Sequence, residues 1–412
     1  MKNLLRIAIS AALVAVSVCF VCAAQETSAP SNHRDRYVIV VSMDGFRYDY
    51  TDMTRTPNLD KMARRGVSTE MLPSFPASTF PNHYTLATGL VPDHHGLVNN
   101  SFWEPEHGER YSIGSPLKNR SYFYLGDPVW NTVQRQGLIA GVTYWVGSDF
   151  VIGGGQPRYF LHYADNELIS FEKRVDRTLE MLRYPEEERP RLLMIYFSEP
   201  DHTGHLTGPG SKETLRQVRR MDKIIGRLRR GIAKSPLRDK IDLIVLSDHG
   251  MASISPEKCV SADKYIKREW TERVIYGTPT SVYSKDAACR DSILAAFKDV
   301  EHVHAYKKEE VPAELCYGTS DRLGDIIIIP DLGWRLTDRA GKNKGGHGYS
   351  PYDREMHTVF RAEGVDFKKG FKAQPFRNVC IYPLVCYLLG VEPSPNDGNL
   401  DEVGSMLSLP ED

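Results

Sequence analysis

The stretch DRYVIVVSMDG (residues 35–45) decides the fold. Tyr37 to Val41 is an apolar run, Ser42 interrupts it, and Asp44-Gly45 ends it. A strand with one wet face alternates apolar and polar residues. A run without alternation reads as a strand buried on both faces, as in a parallel sheet covered by helices. Its carboxyl end then carries an acid, Asp44.

The pattern repeats outward. TPNLDKMARRG predicts a helix that starts at Thr56-Pro57 and stops at Gly66. Further apolar strands are LIAGVTYWV (138–146), RLLMIYFSEPD (191–201), IDLIVLSDHG (241–250) and GDIIIIPD (324–331), with helical patterns at 165–183 and 212–233. Strands alternating with helices predict an α/β fold, a mostly parallel central sheet with helices on both faces. The basic run RQVRRMDKIIGRLRR places Met221, Ile224, Ile225 and Leu228 on one helical face, so its arginines read as the solvated side rather than a nucleic-acid patch. Residues from about 255 to 345 read as added strands and a helix, a small inserted subdomain with no linker of its own.

The chain has 412 residues, 41% hydrophobic and 25% charged, with a formal net charge of −1. These are the proportions of an ordinary globular protein. The charge gives no argument for nucleic acid as a partner or for electrostatic attachment to membranes. Lys2 and Arg6 precede an apolar stretch that ends in small residues at Cys22 and Ala24, which reads as a signal peptide over 1–24. Residues 25–35 then read as a flexible start, and 36–405 as the main domain. The expectation is export, to a periplasm or the extracellular space, with no stable membrane insertion after cleavage. A lipoprotein anchor would need Cys19 or Cys22, and valine stands directly before each. Cys259, Cys289, Cys316, Cys380 and Cys386 remain, without zinc-ribbon spacing, and an odd number leaves at least one unpaired. Packing or a disulfide explains Cys380 and Cys386 better than catalysis.

Asp44 ends one buried strand and Asp201 another, with His205 four residues on. Asp248-His249 end a third, and His347 lies in KGGHGY. Ligands of open α/β sheets bind beyond the carboxyl ends of the strands. A single strand-end Asp is usually a turn residue; four segments delivering carboxylate or imidazole to one edge are not explained that way. Asp and His without thiolate suit Zn²⁺, with Mn²⁺ or Fe as alternatives, and the residues suffice for two ions. Two such ions can hold a phosphate between them. In LPSFPASTFPNHYTLATG (72–89), Ser78 reads as a helix cap. Thr79 gains a role as a nucleophile that a metal would activate, with the following helix N-terminus facing the anion. His202 reads as structural or as a partner of a ligand, His83 as structural, and His94 and His95 as loop or core histidines.

VSMDGFR, FPASTFPNHYTLATGLVPDHHGLVNN, YFSEPDHTGHLTGP, LSDHGM, GGHGY and FRNVCIYPLVCYLLGVEPSPNDG occur in order between about residues 36 and 405. Together they resemble the nucleotide pyrophosphatase/phosphodiesterase family of the alkaline phosphatase superfamily. The resemblance implies one Zn²⁺ held by Asp201, His205 and His347, and a second held by Asp44, Asp248 and His249, with Thr79 bridging towards it. It implies a threonyl-phosphate intermediate on Thr79, a transition-state donor at Asn100 (Asn99 is the alternative), and a nucleobase gripped by Phe80 and Tyr163. The expected substrate is a small nucleotide or other phosphodiester.

Other family members cleave choline phospholipid headgroups, and a phosphonate hydrolase or phosphomonoesterase would share the metal core. A monoesterase would need an extra cation for its additional charged oxygen; Phe80, Pro81 and Asn82 beside Thr79 favour a diester. No Cys/Ser-x-Pro-x-Arg stretch marks a sulfatase. A catalytically dead binding protein would have lost ligands or nucleophile, and all seven positions are filled.

Overall fold

The computed structural model describes residues 35–162, 168–337 and 341–408. The expected leader and Tyr163 lie outside these residues.

The stretch Tyr37–Met43 is the central strand of a nine-stranded sheet. It pairs in parallel with Leu192–Phe197 on one side and Ile241–Leu246 on the other. Ala140–Thr143 and Tyr159–Leu161 extend the sheet in parallel beyond Leu192–Phe197. Beyond Ile241–Leu246, Thr358–Glu363 runs antiparallel to both Ile241–Leu246 and Val67–Leu72. Among the described residues it alone reverses direction, so the sheet is mixed rather than wholly parallel.

Burial on both faces follows the pleat. Tyr37, Ile39, Val41 and Met43 belong to one core, with Leu59, Met62, Val218, Met221, Ile224, Ile225 and Leu228 from the helices Pro57–Arg65 and Lys212–Ala233. Val38 and Val40 belong to the other, with Tyr84, Val133, Leu384 and Leu388 from Thr79–Thr88, Val129–Arg135 and Ile381–Leu389. Successive side chains alternate faces, so only a continuous apolar run fills both layers. The helix Pro57–Arg65 ends at Gly66, where a Cβ would meet the Ala362 carbonyl oxygen at 2.0 Å. Glycine is required there by the neighbouring strand.

Lys212–Ala233 buries the expected face, and its arginines find protein partners: Arg219 bonds Thr54, Arg227 pairs with Asp176, and Arg229 with Glu363. The described part of the pattern over 165–183 forms a helix at Phe171–Met181, capped by Ser170.

GDIIIIPD departs from the expected topology. Ile326–Pro330 lies in a separate four-stranded antiparallel sheet with Thr271–Ile275, Thr280–Ser284 and Val303–Lys307. An apolar run reports burial but not pairing direction. This sheet and the helix Ala287–Phe297 enclose their own core of Val282, Ile293, Phe297, Val303, Ile326 and Ile328. The unit is tied to the rest by polar contacts. The Asp93 carboxylate accepts from the Gly318, Thr319 and Ser320 amides, and Arg322 donates to the Gly96, Tyr122 and Phe123 carbonyls.

The five cysteines among the described residues are free thiols. Burial explains Cys380 and Cys386, and pushes the Cys380 thiol up to about 12.

Candidate active site

The carboxyl ends of the central strands interlock. The Asp44 amide bonds the Phe197 carbonyl at 2.9 Å, and the Asp201 amide bonds the Asp44 carbonyl at 3.0 Å. Gly45 makes the approach possible: its φ is +65°, and a Cβ would sit 2.8 Å from the Asp201 Cβ. Asp201 opens the helix Asp201–Thr207, which carries His205 one turn later. Asp248-His249 follow Ile241–Leu246, and His347 follows the short strand Gly345–Gly346.

All three histidines face the site in the same way. Each Nδ1 bonds a backbone carbonyl: His205 to Gly345 at 2.9 Å, His249 to Gly250 at 2.8 Å and His347 to Ala77 at 3.0 Å. Since a carbonyl can only accept, Nδ1 carries the hydrogen and Nε2 presents its lone pair. Those lone pairs converge. The Nε2 atoms of His205 and His347 are 3.2 Å apart, and the rings of His249 and His347 stack at 3.7 Å.

The carboxylates are equally unsatisfied. Asp44 Oδ1, Asp201 Oδ1 and Asp248 Oδ2 are buried without a hydrogen-bond partner. They stand 3.4 Å (Asp44 Oδ1) and 3.2 Å (Asp248 Oδ2) from His249 Nε2, and Asp201 Oδ1 is 3.4 Å from His205 Nε2. Burial, then the negative charges of Asp248 and Asp201, push the Asp44 carboxyl well above the ordinary range. Burial alone would raise Asp248, but His249 and His83 hold it below that range. Burial, then His249 and His205, push His347 well down.

Buried carboxylate oxygens that no donor reaches, converging with imidazole lone pairs, are the condition that a cation relieves. Ligand atoms of Asp201, His205 and His347 all lie within 4.8 Å of one another, as do those of Asp44, Asp201 and His249. The Asp/His donor set therefore fits a divalent metal. The second trio differs from the expected one by containing Asp201, which belongs to both; Asp248 approaches the same His249 nitrogen from its own side.

Thr79 is the first residue of the helix Thr79–Thr88, and its Oγ1 lies 3.0 Å from His249 Nε2. With Nε2 an acceptor, the hydroxyl donates. Ser78 occupies the N-cap position but makes no side-chain cap bond. Instead Asn100 Oδ1 accepts from the Phe80 amide at 3.1 Å, which places the Asn100 side chain at the first turn of this helix. Asn99 turns to the inserted unit, donating to the Pro279 carbonyl at 3.2 Å. Phe80 is only 4% exposed and packs edge-to-face on Tyr111.

His202 is exposed. His94 pairs with Asp397. His95 is buried between Thr85 and the Pro81 carbonyl, and burial pushes it down to about 3. Sequence reasoning missed Tyr196, whose hydroxyl donates to Asp44 Oδ2 at 2.6 Å, and Ser247, whose Oγ lies 3.2 Å from Asp248 Oδ1. The signal was present: Tyr196 is the polar tip in the apolar run Leu192–Phe197, and Ser247 directly follows Ile241–Leu246.

A mixed α/β sheet thus gathers acids and imidazoles at its carboxyl edge around a helix-borne threonine. A model of the type I phosphodiesterase/nucleotide pyrophosphatase family matches residues 38–350, and the chain belongs to that family, whose members are hydrolases acting on phosphodiester bonds. Mouse ectonucleotide pyrophosphatase/phosphodiesterase family member 7 is 34% identical over 95% of this chain and 91% of its own length. Human family member 1 is 32% identical over 93% of this chain, which spans only 43% of that longer protein. Among solved structures, murine family member 5, in an inactive threonine-to-alanine form in complex with AMP, superposes with a TM-score of 0.86 at 32% identity, covering 90% of this chain and 100% of that one.

Proposed function

We propose that the chain is a phosphodiesterase that cleaves a phosphodiester or pyrophosphate bond of a nucleotide, with Thr79 as nucleophile. One observation carries the reading. Thr79 Oγ1 sits at a helix start, 3.0 Å from His249 Nε2, beside three buried carboxylate oxygens without partners. The likeness to the murine relative in complex with AMP supports the nucleotide, and that relative's inactive threonine-to-alanine form supports a threonine nucleophile.

Two divalent cations, zinc by the donor set, would be held by Asp201, His205 and His347 and by Asp44, Asp248 and His249, with the Asp201 carboxylate in reach of both. When bound, they supply Lewis acidity that favours the Thr79 alkoxide and neutralises phosphate charge. The chain's own groups do the rest. The start of the helix Thr79–Thr88 faces the phosphate with the positive end of its dipole. Thr79 Oγ1 attacks phosphorus in line, forming a Thr79 O–P bond as the bond to the leaving alcohol or nucleotide breaks. The Asn100 amide donates to the non-bridging oxygen, where charge develops. Water then cleaves the threonyl phosphate and restores the hydroxyl. Phe80 and Tyr163 would flank the base. The apolar leader, and the word "ecto" in the relatives' names, support export. No helix among the described residues is long and apolar enough to cross a membrane.

The test compares kcat/KM for nucleoside-monophosphate p-nitrophenyl esters, bis-p-nitrophenyl phosphate, p-nitrophenyl phosphate, p-nitrophenyl phosphocholine and phosphonoacetate. The nucleotide esters are expected to rank first. A best monoester overturns the diesterase reading, and a phosphocholine preference moves the substrate to lipid headgroups.

A further inference from the structure

His83 is a wholly buried imidazole one helical turn beyond Thr79, and both of its ring nitrogens are engaged. Nδ1 lies 2.9 Å from the Thr79 carbonyl oxygen and 3.2 Å from Asp248 Oδ2. Nε2 lies 2.8 Å from Ser42 Oγ. The two neighbours of Nδ1 are acceptors, so Nδ1 carries the hydrogen. Nε2 then takes the Ser42 hydroxyl hydrogen.

The surroundings fix this ring. Ser42 and Tyr196 are register partners on adjacent parallel strands, on the face that the Thr79–Thr88 helix covers. Tyr196 packs edge-to-face on His83 with ring centres 5.1 Å apart, and its hydroxyl reaches Asp44. Trp145 packs on His83 at 5.2 Å and donates its indole N–H to the His83 carbonyl at 2.9 Å. One imidazole thus touches the backbone of Thr79, the Asp248 carboxylate, and the tyrosine that holds Asp44.

We propose that His83 is a positioning residue: its Nδ1–H bonds the Thr79 carbonyl while the same ring edge stands 3.2 Å from Asp248 Oδ2, and so sets where the nucleophile stands relative to the metal site. This rests on the reading of Thr79 and Asp248 given above. It also explains Ser42, the single polar residue inside the apolar strand Tyr37–Met43: the hydroxyl holds the ring in the orientation and tautomer that aim Nδ1–H at the site. With both nitrogens occupied, His83 is a support for the metal site and not a ligand in it. Partners of this kind orient ligands, and their loss weakens metal binding and activity together.

Two replacements separate this role from bulk packing. The amide nitrogen of asparagine falls where Nδ1 stands; that of glutamine reaches the Nε2 position. Zinc affinity is measured by chelator competition, folding by thermal melting, and kcat and KM on bis-p-nitrophenyl phosphate. His83→Gln is expected to weaken zinc binding about 10- to 100-fold and to lower kcat similarly, with KM within about twofold of wild type. His83→Asn keeps zinc affinity and kcat within about threefold. Equal losses in both variants, or wild-type zinc affinity in His83→Gln, overturn the proposal. If His83→Gln does not fold, Ser42→Ala decides in the same assays: a loss of about fivefold in zinc affinity and kcat is expected, and unchanged values overturn it. A wild type inactive on every phosphodiester would sink the functional reading alone, since the zinc affinities still decide the role of His83.

Discussion

Two Asp/His clusters in this molecule use the same residue types and differ in what is left unbonded. On the inserted unit, His302 Nδ1 and His304 Nε2 each bond one oxygen of Asp331, at 3.1 and 2.8 Å, and all three side chains are 39–55% exposed. Each carboxylate oxygen there has a partner, and the side chain is open to solvent. At the sheet edge, three buried carboxylate oxygens have none, and the histidine Nδ1 atoms are spent on backbone carbonyls, so the Nε2 lone pairs point at each other. Unused bonding capacity in a dry place marks a site; residue type alone does not.

The comparison can be broken by experiment. Thr79→Ala should lower kcat on a nucleotide p-nitrophenyl ester by at least about 10⁴-fold while metal content, read by elemental analysis, stays at the wild-type value; a variant with substantial turnover removes Thr79 as the nucleophile. Asp201→Asn touches both ligand trios, so it should lower activity by more than about 100-fold and reduce the metal retained after dialysis. Full metal retention would mean that Asp201 is not shared. Tyr196→Phe deletes a hydroxyl yet leaves the aromatic packing, and about tenfold weaker zinc binding is expected; wild-type affinity would show that Asp44 needs no orienting partner. Asp331→Asn supplies the contrast. Activity should be unchanged and stability should fall by about 0–1 kcal/mol, so a large activity loss would erase the distinction between the clusters. The sign of its pH dependence follows from the bonds. Burial would raise the Asp331 carboxyl, but the hydrogen bonds from His304 and His302 hold it below its ordinary value. The wild type's advantage over Asp331→Asn should therefore be present above the ordinary aspartate value and be lost as pH falls below it through the lowered folded value, in parallel melts across acid pH.

Much of this was legible in the chain. Tyr37–Met43 announces burial on both faces, and acids placed directly after such strands announce the edge where chemistry gathers. Ser78-Thr79 before a helix was legible as a helix start, although the expected cap is displaced: Asn100, 20 residues on, takes the Phe80 amide instead. The pairing of Ile326–Pro330 was not legible, because its apolar run matches that of a parallel strand while its partners lie in the inserted sheet. Nor was the sharing of Asp201 between two trios, or the roles of Tyr196 and His83. These depend on which side chains meet across strands that are far apart in sequence.

The sequence by itself determined the layers, the edge and the inventory of ligand-type residues, since those follow from local periodicity and from where each strand ends. Only the tertiary structure decided which lone pairs remain free. That depends on long-range partners: the Ala77 carbonyl that takes His347 Nδ1, the Gly345 carbonyl that takes His205 Nδ1, and the Asp44 carbonyl that takes the Asp201 amide. A hydrogen bond needs its two atoms within about 3 Å, and no local pattern in the chain sets that distance.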